Sequence, residues 1–274
     1  MAAFFLLYPA WYGMLTAAAG GGACAIIFFI KSTTETVVQP HFTFAQFQGM
    51  TPLDADNVWS YLLDHHADRI TVKRRKPALE NLERIFNATF KLANDVGFRA
   101  MNLRDLCQET GLSMGGLYGY IASKDQLAEM IGDVVRHATH QVPLLFDAIA
   151  APLDRLEALI RSSIYISEIL QPWFYFVYMD TRVLPPEQRQ TAKNSELYVQ
   201  SLFADVIARL PAPPASADLA ASHLMATFQD WYVKRWKYRA AEVSPDRFAD
   251  SAVQQMRAYL SATSVVSAPA LTVE

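Results

Sequence analysis

Only two cysteines, Cys24 and Cys107, stand in the 274 residues, and they form no CxxC pair. That excludes a disulfide framework and fits a reducing, cytoplasmic setting. No nucleophile elbow, P-loop or dinucleotide fingerprint is present, so the common enzyme motifs give no foothold. Strand-like alternation is missing beside the helical patterns, and so is any internal repeat. Charge is absent from Ala2 to Ile30, and only Lys31 and Glu35 carry any before Gly49.

What is present is unevenly spread. The formal net charge is −3, yet Lys73 to Lys124 holds nine basic against five acidic residues, +4, leaving −7 elsewhere. A basic segment on an acidic body suits a module that faces phosphates. From Pro77 onward the pattern is helical: Leu82, Phe86, Phe90 and Ala93 keep one face, and Gly97 closes the helix. Further helices are predicted at 124–141, 153–170, 172–183, 187–210, 217–240 and 245–261, punctuated by prolines. The fold should be all-α.

The most informative stretch is Asn102 to Leu127. Asn102 can cap a short helix with Asp105 reciprocating, and Leu103, Leu106 and Cys107 share its inner face. Gly111 supplies the left-handed residue that ends it, and Ser113 caps a second helix carrying Met114, Gly115, Gly116, Leu117 and Tyr118. Ser123 and Gln126 make another cap at once. Two helices joined by a short Gly-bearing turn form the unit that lays its second helix in a DNA major groove.

The Gly-bearing turn, Ser113, Gly116-Leu117-Tyr118, Tyr120-Ile121, Ser123-Lys124-Asp125 and Leu127, after an amphipathic helix, resemble the TetR/AcrR family of bacterial transcriptional regulators. The resemblance covers roughly residues 79 to 135. It implies a three-helix DNA-binding domain followed by a helical domain for effector binding and dimerisation. Where such proteins often carry Arg, Lys or Thr, this chain has Met114 and Gly116, which leaves few long polar side chains for base edges.

The organisation expected is a segment 1–49, a polar linker with a basic arm at 50–76, a DNA-binding domain at 77–127, an effector and dimer domain at 128–262, and a disordered tail at 263–274. The DNA-binding residues expected are Lys73, Arg74, Arg75 and Lys76 as an arm on phosphates or the minor groove, then Asn102, Arg104, Ser113, Met114, Gly115, Gly116, Tyr118, Tyr120 and Lys124. Leu117 packs inward, which should turn both tyrosines to the groove. Lys124 opens a helix, where a phosphate clamp is expected. The effector residues expected are Tyr165, Glu168, Trp173, Tyr175 and Tyr178, an aromatic cluster with a few polar anchors that could equally be plain core. Phe228, Trp231, Tyr232 and Trp236 suit a four-helix dimer interface or a monomer core.

The expected partners are therefore a double-stranded DNA operator, a hydrophobic small-molecule effector and a second copy of the chain. The expected role is a homodimeric repressor. A metal-binding helical enzyme is the alternative of a different class: Asp133, His137 and His140 fall at i, i+4 and i+7 of one helix. The sequence fixes no further ligand beside them, and His65-His66 lies in the expected linker, so no metal and no cofactor are expected. For residues 1–49 three readings stand: a membrane tether, a packing or disordered arm, or residues upstream of a true start at Met50. The third is favoured, so a chain beginning at Met50 should fold and bind DNA.

Overall fold

In the computed structural model, residues 39–266 are described, and among them every regular element is helical. The uncharged run up to Ile30, and the tail beyond Val266, lie outside the described residues.

Two helices precede the DNA-binding segment. α1 spans Phe44–Gln48 and is set by a capping box, with Thr43 and Gln46 satisfying each other's free backbone N–H groups. α2 spans Val58–His65 and buries Val58, Leu62 and Leu63. This corrects the reading of residues 50–76 as a polar linker. Leu53 and Ile70 are buried as well, and Trp59 packs on Trp173 and Phe86 with ring centroids 5.5 and 6.1 Å apart. The charged residues that make the stretch look soluble occupy its outer face.

Residues 39–49 are equally committed. Phe42 and Phe47 are buried against Phe146 and Tyr165. The Phe44 N–H donates to Asp246 Oδ1 at 2.7 Å, and the Tyr165 hydroxyl donates to the same oxygen at 2.6 Å. Met50 is therefore not where the folded chain begins to contribute to the core, which runs against the expectation that a chain can begin there intact.

α3, Arg75–Val96, runs further toward the N-terminus than its apolar pattern indicates, so Pro77 falls at the third helical position rather than the first. α4 (Leu103–Thr110) and α5 (Met114–Tyr118) follow, and α6 (Lys124–Gln141) begins six residues later. The body continues with α7 (Pro152–Ile169), α8 (Gln171–Asp180), α9 (Pro186–Ala208), α10 (Ala217–Val233), α11 (Arg235–Ala240) and α12 (Pro245–Val266). Two boundaries differ from expectation. The single helix expected at 217–240 breaks at Lys234, where Asp230 accepts Lys234 Nζ at 2.7 Å, Lys237 Nζ at 2.6 Å and the Tyr238 hydroxyl. Burial works to raise the Asp230 carboxyl, but these donors hold it well below the usual carboxylate range. The last helix extends to Val266, so residues 263–266 are not part of a disordered tail.

Glu157 on α7 joins the first segment to the body. Its carboxylate accepts from Arg161 Nε at 3.0 Å, Arg257 Nη2 at 2.7 Å and His41 Nδ1 at 3.2 Å. Burial raises its pKa, and the hydrogen bonds from Arg257, Arg161 and His41 outweigh that and lower it from the ordinary 4.5. Its stabilisation is therefore complete above the unfolded value and is lost as pH falls through the lower folded value. Glu157→Gln should cost about 1.5–3 kcal/mol at neutral pH, because it removes the charge that Arg161, Arg257 and His41 share and leaves Arg161 with Asp250 alone. The variant's melting temperature should also fall less steeply than that of the parent below about pH 4.5, the ordinary glutamate region. Parallel acid profiles would show that Glu157 is not the titrating group.

Candidate nucleic-acid interface and effector cavity

The helix-turn-helix forms as its capping residues dictate. The Asn102 side chain accepts from the Arg104 and Asp105 N–H groups at 2.9 and 3.2 Å, and Asp105 accepts the Asn102 N–H at 2.8 Å. Gly111 takes φ +71°, the left-handed region that only glycine enters cheaply. Ser113 Oγ accepts the Gly116 N–H at 3.1 Å, and Ser123 Oγ accepts the Gln126 N–H at 3.1 Å. Leu106 and Leu117 are wholly buried and hold the two helices together.

The outward face is smaller than the sequence indicates. Arg104, Ser113, Gly115 and Tyr118 are exposed, whereas Gly116 and Met114 are half-buried, Met114 with its sulfur 3.3 Å from Cys107 Sγ. Asn102 and Ser113 are engaged as caps. Tyr120 is a correction: it is 3 % exposed, its hydroxyl accepts from Asn81 Nδ2 at 2.9 Å, and it cannot face a groove together with Tyr118. The five-residue helix ends at Tyr118, so Tyr120 follows the turn back into the core.

Lys124 is the second correction. Its Nζ donates to the carbonyls of Phe98, Arg99 and Met101, each at 2.9 Å, and lies 5.1 Å from the Phe98 ring centroid. An ammonium has three protons, and all three are spent on the turn between α3 and α4. The basic run is divided too. Lys73, Arg74 and Lys76 are exposed, but Arg75 forms a two-pronged pair with Asp64 at 2.6 and 3.0 Å and sits inside α3 rather than on an arm. Just before the run, the Thr71 N–H donates to the Gly119 carbonyl at 3.0 Å. A Cβ at Gly119 would stand 3.2 Å from Val72 Cγ2, so the first segment lies against the end of the short second helix.

Behind this head is a cavity of about 700 Å³ walled by α6 to α10. Its surface is mainly apolar, from Val135, Leu159, Phe174, Val199, Phe203 and Phe228, with Arg136, Gln188, Glu196 and Gln229 as polar groups. Of the effector residues expected, Tyr178 lines it. The others are corrected. Tyr165 is fully buried on the α12 side, bonded to Asp246. Glu168 accepts from Arg235 Nε and Nη2, at 2.7 and 3.0 Å, and Arg235 in turn stacks on Trp231. Trp173 packs among Trp59, Phe86 and Phe90, and Tyr175 is not among the lining residues. Val177 is a wall residue that the sequence reading missed, because a helix with apolar residues all round does not show which side faces a hollow.

Two of the interface residues expected belong to the subunit's own core: Trp231 against Phe248 and Phe228 against Phe203. Tyr232 lines the cavity, while Trp236 is 72 % exposed. The helical triplet Asp133, His137, His140 does not converge. Asp133 meets His66 and Arg136, His137 stacks on Tyr61 with centroids 4.2 Å apart, and His140 packs on Tyr198.

Residues 85–131 match the family of bacterial regulatory proteins, tetR family, over the end of α3, the helix-turn-helix and the start of α6. The head is a TetR-family helix-turn-helix. The match covers this head and not the larger body behind it. The fold agrees. A TetR-family regulator, PfmR from Thermus thermophilus, superposes with a TM-score of 0.54 at 20% identity, covering 65% of this chain and 95% of its own. A tetR-family protein from Rhodococcus RHA1 gives 0.57 at 19%, covering 66% and 95%. AibR, solved with isovaleryl coenzyme A and operator DNA, gives 0.55 at 18%, covering 62% and 95%. The chain matches no curated protein sequence. Among the described residues no helix is long and apolar enough to cross a membrane.

Proposed function

We propose that this TetR-family chain is a homodimeric, effector-responsive repressor. The observation that carries the reading is that α6 serves both ends: it opens six residues after the second helix of the head and walls the cavity through Gly132, Val135, Arg136 and Thr139. A ligand that fits only one placement of α6 biases the head, and that difference in affinity between the two placements releases the operator. In each half-site Tyr118 and Arg104 face the groove, while Lys73, Arg74 and Lys76 take phosphates and supply salt-dependent affinity. The apolar wall with a few polar groups suits an amphipathic molecule. AibR was solved with an acyl coenzyme A, FadR from Bacillus subtilis with stearoyl-CoA, and KstR2 of Mycobacterium tuberculosis is described as a ketosteroid regulator, which supports that class. The exposed Trp236 and Leu219 are offered as contacts for a second copy.

The test is a gel-shift and melting series on promoter fragments. Tyr118→Ala should weaken binding by about 1–3 kcal/mol, the usual worth of a base contact, with an unchanged melting temperature. Acyl-CoA or steroid probes should raise the melting temperature and lower operator affinity together, as linkage requires. Val199→Trp, filling the cavity, should abolish the second response and leave DNA binding intact. A Tyr118→Ala protein that binds as well as the parent would remove this helix from the interface.

A further inference from the structure

His65, His66 and Asp133 come together from distant parts of the chain, and the head and cavity described above use neither histidine. His65 ends α2 and His66 caps it, while Asp133 stands in the middle of α6. One ligand atom from each lies within 4.8 Å of the others. Asp133 Oδ2 is 3.3 Å from His66 Nε2 and 3.8 Å from His65 Nε2. Ligand atoms around a tetrahedral zinc ion, each about 2.0–2.1 Å from the metal, stand roughly 3.4 Å apart. The two distances bracket that edge.

The neighbours arrange these groups as a metal site requires. His66 is 4 % exposed, and its Nε2 is shut off from solvent with no aligned hydrogen bond, facing Asp133 Oδ2 inside the cluster. Arg136 pairs with Asp133 Oδ1 and leaves Oδ2 turned to the histidines. The Tyr61 ring stacks on His65 with centroids 5.2 Å apart, and its hydroxyl donates to the Asp133 carbonyl at 3.4 Å, fixing α2 against α6. His65 is the movable member, with its side chain 47 % exposed. Its open side leaves a fourth position for water or a further donor.

We propose that His65, His66 and Asp133 bind one divalent transition-metal ion of the zinc class, joining α2 to α6 through two imidazoles and one carboxylate. Two neutral nitrogens and a carboxylate oxygen are borderline donors, which favour zinc, cobalt or nickel over magnesium or calcium. Because the ligands come from helices that are separate in the unfolded chain, the bound ion stabilises the folded state. Asp133 and Arg136 also line the cavity, so the ion sits at its edge.

The experiment uses the full-length, untagged protein after chelator treatment and dialysis. Zinc chloride alone is titrated calorimetrically, melting temperatures are taken with and without it, and cobalt chloride is followed by visible absorption. One equivalent per chain, a raised melting temperature and the intense cobalt bands of a four-coordinate site are expected. His65→Ala should melt close to the metal-free parent, because about half of the side chain is exposed, but lose the stoichiometric zinc and the cobalt bands. Asp133→Asn should lose them too. The proposal is overturned by absence of stoichiometric binding in the parent, or by zinc binding of equal strength in His65→Ala, which would place the ion elsewhere.

Discussion

A chain shortened to begin at Met50 is expected to lose its cooperative unfolding transition. Removing residues 1–49 takes away Phe42 and Phe47, 3 % and 0 % exposed, and opens the ring cluster around Tyr165. Phe→Ala in a core costs about 3–5 kcal/mol, so the pair together is worth roughly 6–10. A domain of ordinary stability has only about 5–15 kcal/mol in all. The deletion also strips the Phe44 N–H from Asp246 and His41 from Glu157. Thermal and urea melts followed by circular dichroism decide the matter. An unchanged midpoint in the shortened chain would mean that this segment only rests on the body. Phe47→Ala in the full chain is the milder form and should lower stability by about 3–5 kcal/mol.

Lys124→Met should destabilise the protein by about 3 kcal/mol, the upper worth of a hydrogen bond to a charged group. Three carbonyls in the Phe98–Met101 turn lose their donor at once. Because that turn sets α4 against α3, operator affinity should fall for every sequence. The salt dependence should nevertheless keep its slope. A residue that touched a phosphate would instead remove close to 0.9 from the log–log slope. Melting temperature and salt titration of the same variant separate the two. A flattened slope with an intact melting temperature would return Lys124 to the phosphate backbone.

The helix-turn-helix was legible because local chemistry writes it: Asn102, Gly111 and Ser113 each act within four residues of themselves. Helix bounds were legible for the same reason, to within a residue at α6 and a few at α7 to α9. Long-range partners were not. Tyr120 differs from Tyr118 only in which side of a turn it leaves, and Lys124 looks free until the Phe98 carbonyl is brought to it. Trp173 and Tyr165 have the composition of a binding pocket, yet Trp59 and Phe42, more than a hundred residues earlier, cover them. The charged exterior of residues 50–76 hid the buried Leu53, Leu62 and Ile70, and with them the helix that brings His65 and His66 to Asp133.

The bond between Phe44 and Asp246 spans 202 residues of chain. A ribosome adding about 5–20 residues per second needs roughly 10–40 seconds between the two. For the first half of that interval Phe42 and Phe47 are made but have nothing to bury against, since Phe146 and Tyr165 arrive later, and the Phe44 N–H waits longer still for Asp246. Until their partners emerge, Phe42, Phe44 and Phe47 of a newly made chain therefore depend on whatever shields them.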